Sequence, residues 1–191
     1  FVEQQKYTTK FPISPVLDQA ADFFNEITQF VKELNPEIKS KVKFRLKGIT
    51  GLNSEKKFSD MFGAEYIDKV STKNSFEKTI LSSKLIISTY AQTAFCEAMH
   101  SNIPTILIIN TNYLQLSKSA LNIFDVLKKN KIAFDDFNEA KIHINKYWKE
   151  LDSWWQCENV QSARKMFLAN FFNVKSNWYK EWSDYIYSAT S

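Results

Sequence analysis

The chain has 191 residues, enough for one domain with a substantial buried core, and its hydrophobic fraction of 44% excludes an intrinsically disordered chain. Its net charge of +4 comes from dispersed lysines, which argues against a nucleic-acid binder because such a protein needs a clustered basic surface. With only 3 glycines and no run of 18 apolar residues, a turn-rich β-sandwich and a transmembrane segment are also excluded.

Two cysteines and the first residue bear on the origin of the chain. Cys96 and Cys157 are far apart, and Cys96 lies in an apolar helical pattern, so we interpret both as reduced structural thiols of a cytoplasmic protein. No signal peptide is visible. The chain begins at Phe1 instead of a methionine, from which we expect residues 1–191 to be a single domain taken from a longer, two-domain chain.

Helical and strand patterns alternate along the first 84 residues. A helix is predicted from Ser14 to Leu34, because Ser14-Pro15 is a typical helix start and apolar residues then recur at helical spacing. Residues 41–47 alternate as a half-buried strand does, with Val42, Phe44 and Leu46 inward and Lys43, Arg45 and Lys47 outward.

Three shorter elements are predicted before the central part of the chain. A short helix covers 54–62 and a small strand covers 64–68. Asn74 and Glu77 resemble a capping box, which opens a helix whose inward-facing side chains are Phe76, Ile80 and Leu81.

The segment 85–110 has the pattern of strand, turn, helix and strand. Leu85–Ser88 and Thr105–Ile109 are continuous apolar runs of the kind that a parallel sheet covers on both faces. Between them, Ala94, Phe95, Ala98 and Met99 share one side of a helix that Asn102 and Pro104 end. Two parallel strands joined by a helix indicate a right-handed crossover in an α/β sheet.

Polar side chains collect in the turn between the first of these strands and the helix. They are the hydroxyls of Ser88, Thr89 and Thr93 and the amide of Gln92, and Glu97 follows one helical turn after Thr93 on the same face. Open α/β sheets bind ligands in this crevice, where the helix amino terminus attracts phosphate. A phosphate-binding turn followed by a carboxylate suits a nucleoside diphosphate, with Glu97 accepting two ribose hydroxyls.

The remaining residues are predicted to be mostly helical. The predicted elements are a helix around 116–129 with lysines at its end, a short strand at 132–134, a helix capped by Asn138, and two helices over about 158–172 and 178–187. We therefore expect a Rossmann-like domain over 1–191. Its parallel sheet is expected to have four to six strands, with helices on both faces. Leu85–Ser88 and Thr105–Ile109 should lie adjacent at its centre. A helical tail over 138–191 should pack across it.

Several motifs, taken in order, resemble the donor-binding half of GT-B glycosyltransferases, and more specifically a group of bacterial sugar transferases linked to surface carbohydrate biosynthesis. The motifs are Lys43-Phe44-Arg45-Leu46, Ser88-Thr89-Tyr90-x-x-Thr93-x-Phe95-x-Glu97, Trp154-Trp155, Val160-Gln161-x-Ala163-Arg164-x-x-Phe167 and Asn177-Trp178-x-x-Glu181-Trp182. They extend over nearly the whole chain, and their order and spacing carry more information than any one of them.

The resemblance implies a nucleotide-sugar donor as the ligand of this half, an acceptor-binding amino-terminal half as its partner, and no metal or other cofactor. Glu97 would hold the ribose, Ser88, Thr89 and Thr93 would line the phosphate turn, and Arg45 would approach a phosphate or a substrate carboxylate. No catalytic base is identified, since the general base would belong to the other half, and the isolated chain is expected to be inactive. One departure is that Tyr90, Ala91 and Gln92 stand where many relatives have glycines, and side chains there keep a ligand away from the backbone.

Structural interpretations of the same residues stay open beside these functional ones. Glu97 fits an exposed helix carboxylate, Thr93 a simple helix cap, and Arg45 a solvated face or an ion pair. His100 suits a helix carboxyl end, and His143 is predicted to be exposed. Core packing is favoured over sugar stacking for Trp154, Trp155, Trp178 and Trp182.

No His, Cys or carboxylate residues have metal-ligand spacing, and the motifs of P-loops, dinucleotide-binding turns and serine hydrolases are absent. Two functions besides a transferase therefore remain at this point: a non-catalytic Rossmann-like module for nucleotide sensing or protein association, and, least favoured, a nucleic-acid binder.

Overall fold

A computed structural model describes residues 20–46, 53–69, 75–109, 117–172, 174 and 177–190. In this part of the chain three short parallel strands form one sheet in the order β1 (Ile86–Ser88), β2 (Thr105–Ile108) and β3 (Ala133–Phe134). Ile86 pairs with Thr105 and Leu107 pairs with Ala133. The α/β fold and the parallel adjacency of the first two strands are therefore confirmed, but β1 lies at the edge of the described sheet instead of at its centre.

The described sheet is smaller than the four to six strands expected. Phe44 and Ile67 form a parallel bridge, but it stands outside the three-stranded sheet. The predicted strand over 64–68 is instead a 3-10 turn at Ala64–Tyr66, followed by the single bridging residue Ile67. Gly63, with φ of 112°, precedes this turn in a conformation that favours glycine.

The described residues include ten α-helices. They are α1 (Ala20–Lys32), α2 (Pro36–Lys39), α3 (Ser54–Phe62), α4 (Phe76–Ser82), α5 (Thr93–His100), α6 (Lys118–Lys129), α7 (Phe137–Tyr147), α8 (Leu151–Trp155), α9 (Glu158–Phe171) and α10 (Trp178–Thr190). A second 3-10 turn, Trp148–Glu150, links α7 to α8. None of the described helices combines the length and the apolar character needed to cross a membrane.

Two of the predicted helix starts differ from the structure. Asn74 lies outside the described residues, and the cap of α4 is Ser75, whose side chain accepts a hydrogen bond from the Lys78 N–H at 3.3 Å. The Asn138 cap was wrong, because Asp136 caps α7 by accepting from the Glu139 N–H at 2.8 Å. The start predicted at Ser14 lies outside the described residues, as do Lys47 and Leu116.

The core is divided into two layers by β2, every residue of which is buried. Ile106 and Ile108 face α1, α2 and α7, whereas Leu107 and Ile109 face α5, α6 and α9. This alternation explains the continuous apolar pattern of Thr105–Ile109, since a strand covered on both faces has no polar side.

Four side chains outside the candidate site residues are placed otherwise than predicted. Leu81, expected inside, is 62% exposed, and Trp178 and Trp182 on α10 are 62% and 59% exposed. His143, expected outside, is buried among Phe134, Tyr147 and Trp154. Burial, with smaller contributions from Lys131 and Lys146, lowers the pKa of His143 to about 4, so the ring is neutral at pH 7.

Candidate functional site

The turn after β1 is shaped by hydrogen bonds within the turn. The Ser88 side chain is buried and its hydroxyl donates to the Tyr90 carbonyl at 2.7 Å. The Gln92 N–H donates to the same carbonyl at 3.2 Å, and Thr89 and Tyr90 are also buried. These bonds stabilise a tight turn without glycine, which answers how Tyr90, Ala91 and Gln92 are accommodated there.

The amino end of α5 begins directly after this turn, beyond the carboxyl end of β1. Gln92 occupies the N-cap position with φ of −124° and ψ of −162°, but its side chain makes no cap hydrogen bond. Its carbonyl accepts from the Cys96 N–H at 3.0 Å and so begins the helix. First-turn N–H groups lack intrahelical acceptors, and here the residue at the cap position does not supply one.

Thr93 and Glu97 share one face of α5, because residues four apart in a helix lie one above the other. Thr93 is exposed and Glu97 is half-buried. Glu97 takes part in none of the ion pairs found among the described residues. The structure therefore brings the amino end of α5, a hydroxyl and a carboxylate together at the carboxyl edge of the sheet.

Cys96 lies beside this face of the same helix and is buried. Burial, and to a smaller extent the charge of Glu97, raise the pKa of its thiol. A thiol with a raised pKa is a poor nucleophile at neutral pH, since the thiolate is the reactive form. Cys96 packs in the core layer formed by α5, α6 and α9, in agreement with its structural interpretation.

The carboxyl end of α5 is anchored by side chains from distant parts of the chain. The Arg164 guanidinium donates to the Met99 carbonyl at 2.6 Å. The Trp155 indole N–H donates to the carbonyl and side-chain oxygens of Asn102, at 3.0 and 2.9 Å. Asn102 has φ of 56°, the left-handed conformation that commonly ends helices.

Trp155 was predicted to pack in the core, as it does, whereas Arg164 was noted only as part of a motif that carries the family resemblance. Only the fold shows that they meet α5, because 53 residues separate Asn102 from Trp155 and 65 separate Met99 from Arg164. The two motifs thus hold the helix that presents Thr93 and Glu97.

Arg45 lies in a different environment from the turn. Its guanidinium donates to the Asp68 carboxylate and to the Thr79 hydroxyl, both at 2.8 Å, and it is largely buried. The outward orientation predicted for Arg45 was therefore wrong, whereas the alternative of an ion pair is confirmed. Among the described residues, Arg45 lines a cavity to which none of Ser88, Thr89, Gln92, Thr93 and Glu97 contributes.

Comparison with protein families gives one match, to a model described as LIC12162 family transferase, which covers residues 1–186. The chain belongs to the LIC12162 transferase family. The matched residues include both core layers, the turn and the carboxyl-terminal helices, so the family assignment applies to the α/β unit as a whole. As a member of this family the chain is part of an enzyme class that acts on a substrate by group transfer.

The comparison with curated proteins found no match, and the comparison with solved structures found none either. Within the described ranges, no group of three or more His, Cys, Asp or Glu side chains is arranged to hold a metal ion.

Proposed function

We propose that this family member is the donor-binding domain of a glycosyltransferase-like enzyme, which transfers a sugar or sugar-like group from a nucleotide donor in surface polysaccharide biosynthesis. Family membership supports the transfer reaction. The nucleotide donor is inferred from the amino end of α5, where the exposed hydroxyl of Thr93 and the half-buried carboxylate of Glu97 lie on one face of the helix.

The diphosphate of the donor would lie against the first turn of α5. N–H groups and the partial positive charge of a helix amino terminus favour anions, and the Gln92 side chain does not satisfy them. Gln92 and Thr93 contact the phosphates in this arrangement, while Ser88 and Thr89, both buried, line the turn and set its shape. Stabilising the departing diphosphate is the contribution this half makes to catalysis.

Glu97 would accept two hydrogen bonds from the ribose hydroxyls. One helical turn is about 5.4 Å, which is a suitable displacement from phosphate to ribose along a nucleotide. The carboxylate takes part in no described ion pair, so ribose hydroxyls would not have to displace a cation. The observation that carries the proposal is this pairing of a helix amino end lacking a side-chain cap with a carboxylate one turn later.

Calorimetric titration of the chain with a panel of nucleoside diphosphates and nucleotide sugars tests this assignment. Glu97→Ala removes two charge-assisted hydrogen bonds of roughly 1.5–3 kcal/mol each, so nucleotide affinity should fall more than tenfold. Glu97→Gln keeps one acceptor and should cause a smaller loss. Glu158→Ala, which removes an exposed glutamate from the first turn of α9, is the matched control and should leave affinity unchanged.

Circular dichroism on each variant separates loss of binding from loss of folding. Unchanged affinity in a well-folded Glu97→Ala variant would exclude Glu97 as the ribose ligand. Absence of binding to every nucleotide in the panel would count against a donor site in this domain and would favour the alternative of a protein-interaction module.

A further inference from the structure

The cavity that Arg45 lines, of about 420 Å³, lies between the Phe44–Ile67 bridge and the edge strand β1. Its walls come from the ends of α1 and α4, from α2, from residues 41–45 and from the beginning of β1, with Trp148 at one side. This volume lies in the range of about 300–1,000 Å³ that is typical of small-molecule pockets. The turn proposed for nucleotide binding contributes no residue to it.

One wall of the cavity is aliphatic. Leu34, Ile38, Val42 and Leu85 line it together with Ile86 and Ile87. A wall of this kind favours an alkyl chain, because contact with it removes apolar surface from water. Trp148 is less suitable for stacking a flat ligand, since the Lys84 ammonium lies over its ring at 4.6 Å and the Lys41 ammonium lies over it at 5.8 Å.

The polar side of the cavity carries an excess of positive charge, with four cationic side chains, Lys41, Lys43, Arg45 and Lys84, and one carboxylate, Asp68. Asp68 is bound by Arg45 at 2.8 Å, and Glu37 lies 3.3 Å from Lys41. No carboxylate of the described residues lies within ion-pair distance of Lys84, whose described contact is the face of Trp148.

Three of the residues that line the cavity form a closed hydrogen-bonded triangle. Arg45 donates to Asp68 and Thr79 at 2.8 Å, and the Thr79 hydroxyl donates to Asp68 at 3.0 Å. Both charged side chains are largely buried, so the triangle joins residues 45, 68 and 79 into one rigid unit. The cavity therefore has a rigid hydrogen-bonded triangle, an aliphatic wall and a cationic rim.

We propose that this cavity is a second ligand site, which binds an amphipathic anion: an aliphatic chain that lies along the Leu34–Val42–Leu85 wall and ends in a carboxylate or phosphate group at Lys84. Lys84 is the cation that binds the anionic head group, because the described contact of its ammonium is with the face of Trp148 and not with a carboxylate. Lys41 and Lys43 add to the positive potential at the rim.

Calorimetry on the chain with four probes tests the site: octyl phosphate, octanoate, inorganic phosphate and 1-octanol, the first two below their micellar concentrations. Either amphipathic anion should bind at least tenfold more tightly than both inorganic phosphate and 1-octanol, and the tighter of the two identifies the head group. If inorganic phosphate bound as tightly as octyl phosphate, the proposed contribution of the aliphatic wall to binding would be wrong. Absence of measurable binding by both amphipathic anions would overturn the site.

Two variants locate the binding. Lys84→Glu should lower the affinity for the amphipathic anion at least tenfold, whereas Lys165→Glu, an equal change of charge at an exposed lysine on α9, should leave it unchanged. Val42→Phe keeps the net charge and fills the cavity, so binding should be lost while the thermal unfolding midpoint is retained. Octyl phosphate binding that survives Lys84→Glu would contradict the proposal.

This site does not depend on the donor site, and Glu97→Ala separates the two. The variant should weaken nucleotide binding and leave octyl phosphate affinity unchanged. If Glu97→Ala weakened the binding of both nucleotide and octyl phosphate, the two ligands would share one site. That result would overturn the proposal of a second site.

Discussion

At its carboxyl end α5 is held by Arg164 and Trp155 from α9 and α8, whereas at its amino end the side chain of Gln92 makes no cap hydrogen bond. A Ser, Thr, Asp or Asn at the cap position would stabilise the helix by about 1 kcal/mol. The amino end is therefore less stable than a single substitution could make it. The anchored end fixes the position of the helix, and the open end leaves its N–H groups to a ligand. The difference predicts that changes at one end affect folding and changes at the other affect binding.

The largest effect is expected at Trp155, which is fully buried. Trp155→Ala should lower the free energy of unfolding by about 3–5 kcal/mol, since it removes a large buried ring and leaves the Asn102 oxygens without their donor. Urea denaturation measures the loss. Trp178→Ala, at a tryptophan that is 62% exposed, is the matched control and should change stability by less than about 0.5 kcal/mol. Equal losses in the two variants would contradict the anchoring of α5 by Trp155.

Arg164→Met should lower the free energy of unfolding by about 1.5–3 kcal/mol, because it keeps the apolar stem and removes the charged donor to the Met99 carbonyl. Lys165→Met on the exposed side of the same helix serves as the control. Under conditions where the Arg164→Met variant is fully folded, its nucleotide affinity should stay within about threefold of the original. A tenfold loss of affinity would show that the two ends of α5 are coupled.

Gln92→Asp should act in opposite directions on stability and binding. An aspartate at this extended position can cap α5 and interact with its positive end, which should stabilise the chain by about 0.5–1 kcal/mol. The same carboxylate competes with phosphate for the N–H groups, so calorimetry should show weaker nucleotide binding. Gln92→Ser, a neutral cap, should stabilise the chain similarly with a smaller loss of affinity. Nucleotide binding that is unaffected by Gln92→Asp would place the phosphates elsewhere.

Thr93→Val should have the smallest effect. The exchange keeps the shape of an exposed residue, so stability should change by less than about 0.5 kcal/mol. Thr93→Val removes one of several hydrogen bonds to the phosphates, so nucleotide binding should weaken less than in Glu97→Ala, which removes both hydrogen bonds to the ribose. A loss as large as that of Glu97→Ala would mean that Thr93 has a role beyond a single phosphate contact.

Continuous apolar runs were sufficient to predict the centre of the fold. The strands within Leu85–Ser88 and Thr105–Ile109, the helix between them and their parallel pairing were predicted correctly, because apolar strands and a helix of 8 residues have distinct periodicities. Coverage on both faces holds for β2 but not for β1, which lies at the edge of the described sheet and is only partly buried at Ile86 and Ile87. Helix α3 was predicted with its observed limits, Ser54–Phe62. The assignment of a nucleotide to the turn and to Glu97 stays a prediction.

Amphipathic patterns were a poorer guide to burial. Trp154 and Trp155 pack in the core layer with α5, whereas Trp178 and Trp182 on α10 are exposed, although the same apolar character predicted burial for all four. A helical pattern shows which side of a helix is apolar, but not which element covers that side. For the same reason His143, on a face predicted to be polar, is enclosed by rings from three elements.

The sequence by itself determined the kind of most elements, the limits of α3 and the position of a polar turn between a strand and a helix, but it predicted neither α2 nor the 3-10 turn at Ala64–Tyr66. Tertiary structure decided which distant side chains meet. It brought Trp155 and Arg164 to the end of α5, and it paired Arg45 with Asp68 and Thr79 beside a cationic cavity. Local periodicity is set by the backbone geometry of adjacent residues, whereas these contacts join residues separated by 23 to 65 positions and exist only after the sheet and its two layers of helices have packed.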